Sequence, residues 1–345
     1  MHNLTRFSTL LARAHPGTRM EHRLQRLVGR TVVHALRHSS YVTDWYPSLD
    51  DPLMLRILEA HPRICEKVAR PYLCCGLSYA ERHRALIGQY RWLRARLSEQ
   101  ALTAIFLGEG LELARLLPGG TGEHRLILHY LDQFEMEGDL TLSLVRVGGP
   151  RIFSLTFSIL EGERGMHVQI GGAQGGAGDI GEVVRQLTKA WQGMRPKALV
   201  LCALMELASA WGTVHLSGVG DAHHVYRCLS FHRGRKAHIH ADYDSLWRDA
   251  GGCVDAADPR LYTLPLAWPI RALETVSAHK RPMYRRRYAM LNMLQAEIDA
   301  RAQEALRHDG VSLAPRRLAG SAVVPVHLVE AGLGHQHGVG DTQIL

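Results

Sequence analysis

Two clusters in the second half of the chain hold side chains able to do chemistry. The first is a glycine-rich run, Gly171-Gly172-Ala173-Gln174-Gly175-Gly176-Ala177-Gly178, entered from a strand pattern and left through a helix pattern that starts at Asp179. Backbone N–H groups gathered beside a helix N-terminus form a concavity suited to phosphate or pyrophosphate. The run lacks the Gly-Lys-Ser/Thr ending of a P-loop and is not a GxGxxG turn in a βαβ unit. Gln174, Gly175, Gly176 and Gly178 are the expected cradle, with Lys189, Arg195 and Lys197 downstream to neutralise the ligand's charge. Each observation has a plainer counterpart. Asp179 and Glu182 make a capping box that fills the same donors; glycines also serve a tight turn with close backbone packing; and cations at a helix C-terminus stabilise its dipole by about 0.3–1 kcal/mol without a ligand.

The second cluster is a ladder, His238, His240, Asp242 and Asp244, at a spacing of two. On a strand this spacing aims all four side chains to one face. Imidazole and carboxylate converging there suit a divalent metal, a general acid/base pair or a structural polar network. His223, His224 and Tyr226 precede the ladder and are placed to return beside it. The expected catalytic residues are His224, Tyr226, His240, Asp242 and Asp244, with His238 a weaker candidate; no metal ligand set is singled out. Chance clustering competes with this reading in a chain with 21 His.

The elements that must position these clusters follow from periodicity. Asp50-Asp51-Pro52 reads as a helix start, with Asp capping and Pro in the first turn. Ser78-Tyr79-Ala80-Glu81 is a capping box that opens a long helix. Leu117-Pro118-Gly119-Gly120 is the clearest break. Beyond it, residues 126–130, 140–144, 153–159 and 166–170 alternate apolar and other side chains, the mark of half-buried strands. Gly148-Gly149-Pro150 makes the second and third antiparallel neighbours. Residues 183–191 and 198–211 return to helical spacing, residues 213–216 form another strand, and Leu291, Leu294, Ile298 and Ala302 mark one long helix over 281–307. The fold class is α+β. We expect a helical N-terminal region (1–118), an α+β catalytic core (119–275), a basic C-terminal helix (276–310) and a flexible tail (311–345).

Several segments resemble the VirK/YbjX family of bacterial proteins: Ile170-Gly171-Gly172-Ala173-Gln174-Gly175, Leu187-Thr188-Lys189-Ala190, Gly193-Met194-Arg195-Pro196-Lys197, Gly218-Val219, His224-Val225-Tyr226-Arg227 and His240-Ala241-Asp242-Tyr243-Asp244. The resemblance runs over residues 52–306. It implies a role in envelope stress, antimicrobial-peptide tolerance or virulence, and names no reaction. At the level of architecture, the order strand, glycine loop, helix is similar to that of GCN5-related acyltransferases, in which the loop holds the pyrophosphate of acyl-CoA. That likeness implies acyl transfer from CoA or an acyl carrier to an amine or hydroxyl on a small-molecule or carrier-bound substrate. A metal-dependent enzyme built on the ladder, using a divalent metal, is the first alternative.

Bulk composition narrows the field further. With 345 residues and 46 % hydrophobic content the chain has material for a sizeable core. No stretch approaches the roughly 20 apolar residues of a membrane span, and the N-terminus lacks the apolar region of a secretory signal; a cytoplasmic protein is expected. Six scattered cysteines without a CxxC pair read as reduced thiols. The net charge of +8 favours anionic partners. Residues 19–37 and 280–287 are its densest clusters. Arg285, Arg286 and Arg287 could meet RNA or an anionic membrane in a non-catalytic binding protein, or form a solvated helix face.

Overall fold

A computed structural model describes residues 44–45, 48–162, 165–176, 178, 180–227 and 242–307. The expected amphipathic and basic stretches within 1–43, the ladder positions His238 and His240, Asp179, and the tail from 308 lie outside the described residues.

Helix α1 (Pro52–Ala60) begins as its sequence dictates, with the Asp51 carboxylate accepting from Leu53 N–H and Met54 N–H. A 3-10 helix (Pro62–Ala69) follows. Ser78 and Glu81 close both halves of a capping box at α2 (Tyr79–Arg96), and Ser98 caps α3 (Glu99–Leu107). Eight strands then build one sheet in the order β1-β2-β3-β4-β5-β6-β8-β7: β1 (Leu111–Leu116), β2 (His124–His129), β3 (Leu140–Arg146), β4 (Arg151–Gly162), β5 (Gly165–Gly175), β6 (His215–Val219), β7 (Cys253–Val254) and β8 (Leu261–Leu264). Between β5 and β6 lie α4 (Gly181–Ala190) and α5 (Pro196–Ala210); α6 (Tyr243–Asp249) precedes β7, and α7 (Arg281–Ala305) follows β8. Every strand pair is antiparallel except β5 with β6, which a helical crossover makes parallel.

The α+β class stands, with three local differences from the sequence reading. Strand β1 falls inside the stretch read as helical, and the break at 117–120 is the turn that pairs it with β2. The glycine run is not a loop through most of its length, because β5 continues to Gly175 and α4 starts at Gly181. Asp242 and Asp244 are not on a strand: they cap and open α6.

The register sorts the central strands into two faces. Leu126, Leu128, Leu142, Leu144, Leu155, Phe157, Val168 and Ile170 align on one face and join the helices in a single hydrophobic cluster. Helix α3 packs on β1 and β2, α5 on β3 and β4, and α7 on both α5 and β1. Each such side chain contributes about 1.5–3 kcal/mol by leaving water. The opposite face carries Thr141 and Ser143 on β3 across from Thr156 and Ser154 on β4, then Ser158. These hydroxyls are also fully buried. Thr141 pairs with Thr156 and Ser143 with Ser154 across the two strands, while Ser158 meets Tyr72 and Asp139 from the segments 62–75 and 131–139. Asp139 on that cover accepts from Lys67 Nζ (2.6 Å), from the Tyr72 hydroxyl and from Tyr90 Oη (2.8 Å), and its N–H reaches Ser158 Oγ at 3.1 Å. A buried ion pair holds only when its remaining lone pairs are satisfied, and here two phenols satisfy them.

Candidate functional site

Strand β5 pairs with β6 only from His167 to Ile170, in register with His215 to Gly218. Beyond Ile170, β5 runs on for five residues while β6 ends at Val219, so the two strands part. No strand among the described residues takes the vacated edge. Three segments fill the parting instead.

The turn that leads from β2 into β3 supplies Glu137. Its carboxylate is fully buried, and Oε1 accepts from Gln174 Nε2 (2.8 Å) and faces His224 Nε2 (3.2 Å). Oε2 has no hydrogen-bond partner among the described residues. It lies against Gly172, where an added Cβ would stand 2.0 Å away; one on Gly171 would stand 2.1 Å from the Glu137 carbonyl oxygen. These two glycines are required by close approach of another backbone and side chain, the plainer of the two readings of the run.

The chain leaving β6 supplies His224, also buried. The Tyr226 N–H reaches its Nδ1 at 3.4 Å, which assigns the proton of the neutral ring to Nε2. That nitrogen faces both Glu137 Oε1 and, at 3.3 Å, the Tyr243 hydroxyl. The Tyr226 phenol turns away to the Gln133 carbonyl (3.2 Å). Burial, then the charges of Glu137 and Glu135, push it above its usual range.

Helix α6 supplies Tyr243, whose ring stacks on His224 at 5.1 Å between centroids. Its oxygen accepts from Ala173 N–H (3.2 Å), on the open edge of β5, and from Gln174 Nε2 (3.4 Å). Burial, then the Glu137 charge, raises the phenol's pKa, so it stays protonated through neutral pH. The placement of Tyr243 is over-determined. Asp221 accepts from the N–H groups of Tyr243 (3.0 Å) and Asp244 (3.3 Å), the Asp244 carboxylate accepts from Asp221 N–H (2.9 Å), and Trp247 Nε1 donates to the Val219 carbonyl (2.8 Å).

The segment 72–75 closes the cluster from the side. Leu73 holds φ at 61°, a left-handed conformation costly for a branched residue. Its N–H donates to the Met136 carbonyl (2.7 Å), and Cys75 N–H donates to the His223 carbonyl (2.7 Å).

The structure therefore brings His224 and Gln174 together, sets the Tyr226 ring 5.3 Å from the His224 ring with its hydroxyl turned away, and separates the other candidates from them. Asp242 is exposed and caps α6 through Ser245 N–H at 2.9 Å; the Ser245 side chain first, then this N–H, holds its carboxyl below the usual range. Asp244 is spent on Asp221 and on Arg248 (3.4 Å). The one-face ladder thus fails in its described half, because a helix turn, not a pleat, sets the directions of residues 242 and 244. Gly175 and Gly178 are open, whereas Gly176 is tight, its added Cβ falling 2.1 Å from the Arg151 carbonyl. Lys189 is exposed at the far end of α4, about 12 Å along the helix from its first residue at 1.5 Å per residue. Arg195 is exposed at the start of α5, and Lys197 lies 4.0 Å from Asp249. Of the three arginines in the basic run, Arg286 Nε donates to Gln192 Oε1 (3.1 Å) and Arg287 Nε to the Gln192 carbonyl (3.1 Å), while Arg285 faces solvent. Among the described residues no group of three or more His, Cys, Asp or Glu is placed to hold a metal ion. No helix there is long and apolar enough to cross a membrane.

Sequence reasoning missed Glu137, Tyr243 and Asp221. For Glu137 the signal was present: Glu135-Met136-Glu137-Gly138-Asp139 sets three carboxylates just ahead of an apolar strand, where solvated charge is out of place.

Comparison with known proteins agrees with the residues that carried the resemblance. Residues 19–300 match the family described as "Protein of unknown function (DUF535)". The "Uncharacterized protein YbjX" of Escherichia coli (strain K12) is 32 % identical over 258 residues, covering 74 % of this chain and 77 % of that protein. An "Uncharacterized protein" of Haemophilus influenzae is 28 % identical over 252 residues, covering 72 % of this chain and 79 % of the relative. No solved structure matches. On the extent of the family match and the identity to YbjX, the chain belongs to the VirK/YbjX family, DUF535.

Proposed function

We propose that the chain is an acyltransferase that takes an acyl group from a thioester carrier, CoA or an acyl carrier protein, and passes it to an amine or hydroxyl. The observation that carries this reading is the parted parallel pair in an otherwise antiparallel sheet, with the Tyr243 hydroxyl seated on the Ala173 N–H of the open edge. Once the covering segment 72–75 gives way, a strand edge without a partner strand can offer backbone donors and acceptors to an extended amide-bearing arm. The exposed turn at Gly175 and Gly178 and the start of α4 stand at the end of that edge, where a phosphate would sit. The GCN5-related order expected from the sequence enters this reading as an analogy of architecture only.

The chemistry assigned to the cluster balances. The Glu137 carboxylate accepts the proton lost by the attacking amine or hydroxyl. The carbon–sulfur bond of the thioester breaks, and Tyr243 protonates the departing thiolate. The phenolate left behind is held by the N–H groups of Ala173, Gln174 and His224. The net change, one proton gained by Glu137 and one lost by Tyr243, is reversed by proton exchange with solvent, which resets the site. Tyr243, His224 and Glu137 are all buried, so the carrier reaches them by displacing the segment 72–75. The left-handed Leu73 stores about 1–3 kcal/mol that favours this displacement. The family resemblance suggests placing the reaction in the response to envelope stress or antimicrobial peptides.

Calorimetric titration with CoA, a short acyl-CoA and an acyl carrier protein tests the reading. Gly175→Val adds bulk where nothing stands within 4 Å, so it keeps the fold and is expected to block binding. Unchanged affinity in that variant sinks the assignment of the glycine turn.

A further inference from the structure

The loop between β8 and α7 exposes apolar side chains beside cations, on a backbone that is firmly held. Leu266 is 38 % exposed and Ile270 63 %. Singly exposed apolar residues mean little, but two within four positions on a stapled loop are a built feature. The staples come from α7. Tyr288 Oη accepts from Arg271 N–H (3.1 Å) and donates to the Arg271 carbonyl (2.7 Å). Arg281 Nε donates to the carbonyls of Leu273 and Val276, both at 3.0 Å. Trp268, half-buried, packs on the core and roots the loop.

The same contacts place Arg271 and Arg285 beside Ile270. Positions 281, 285 and 288 share one stripe of α7 by helical spacing. Arg285 therefore neighbours Tyr288, the residue that grips Arg271, next in sequence to Ile270. Residues 265–288 hold six Lys or Arg (271, 280, 281, 285, 286, 287) against one acid, Glu274. Arg281, Arg286 and Arg287 are turned to carbonyl or amide oxygens of the chain itself. Arg271, Lys280 and Arg285 are exposed and make no ion pair among the described residues.

We propose that this surface docks the chain on an anionic phospholipid bilayer, with Leu266 and Ile270 entering the interface and Arg271, Lys280 and Arg285 meeting the headgroups. A surface that needs apolar insertion as well as positive charge fits lipid better than RNA, whose backbone rewards charge alone. The proposal stands apart from the acyl-transfer reading.

Sedimentation of the full chain with vesicles of phosphatidylglycerol and phosphatidylcholine, against pure phosphatidylcholine, is the test. Binding is expected only to the anionic vesicles and is expected to fall with salt. Leu266→Ser with Ile270→Ser should weaken it at least fivefold while retention on heparin stays unchanged. Arg271→Gln, Lys280→Gln and Arg285→Gln together should weaken both. All five positions are solvent-facing, and a matched melting temperature checks that the variants fold. The proposal is overturned if the intact chain ignores anionic vesicles. Equal vesicle binding by the serine variant, which would mark a general polyanion surface, overturns it as well.

Discussion

Gly172→Ala tests why the glycine run exists. The added Cβ would stand 2.0 Å from Glu137 Oε2, and reaching ordinary contact at 3.4 Å displaces the carboxylate by about 1.4 Å. Glu137 is buried and cannot move toward water. A shift of that size breaks or lengthens the bonds from Gln174 (2.8 Å) and His224 (3.2 Å). Bonds to a charged group contribute about 1.5–3 kcal/mol each, and overpacking costs about 1–3 kcal/mol, so with partial relaxation the loss is about 3–5 kcal/mol. Gly175→Ala is the control. It lies three residues along the same strand with nothing within 4 Å of an added Cβ, and it gains the same unfolded-state entropy term of about 0.4–1 kcal/mol. Urea unfolding of both variants should separate them by at least 3 kcal/mol. Stabilities within 1 kcal/mol of each other would refute close packing on Glu137 as the reason for Gly172.

Two further outcomes follow from the same geometry. Asp221→Ala removes the acceptor for two N–H groups at the start of α6; a loss of about 1–2 kcal/mol is expected in thermal or urea unfolding, with a larger relative loss of any Tyr243-dependent activity, and an unchanged unfolding curve would refute the positioning role. Glu206 on α5 has its pKa raised to about 7, first by burial and then by the charge of Asp299 on α7. A carboxyl raised in the folded state stabilises it below the unfolded value near 4.5, and that contribution is lost as pH rises through 7. Glu206→Gln should therefore flatten the fall in melting temperature between pH 5 and pH 8; an identical slope in wild type and variant contradicts it.

Local rules carried the sequence reading where local rules decide the structure. The caps at Asp51 and Ser78 act through bonds spanning two or three residues, and the strand alternation of residues 140–159 needs only a pleat. Elements decided by distant partners were hidden. Strand β1, Leu-Glu-Leu-Ala-Arg-Leu, owes its conformation to β2, and its leucines fit a helix face almost as well. The spacing of His240, Asp242 and Asp244 suggested a strand, but Asp221, some twenty residues away, holds the N–H groups that start α6 there. The alternating Ser and Thr of β3 and β4 pointed to a solvated face, yet that face is buried under a cover contributed partly by residues 62–75. Glu137 enters the site only because Gly171 and Gly172, more than thirty residues on, leave it room.

Acyl transfer through Tyr243 is tested most directly by release of free thiol from a short acyl-CoA and an acyl carrier thioester, offered with a panel of amines and alcohols. The wild-type chain is expected to release thiol in the presence of at least one acceptor. Tyr243→Phe keeps the ring stacked on His224 and removes only the hydroxyl, so it should lower the rate by roughly 10²-fold or more with a stability loss of about 1–3 kcal/mol. Release at the wild-type rate from folded Tyr243→Phe, or no release above the protein-free control by the wild-type chain with any acceptor, would contradict it.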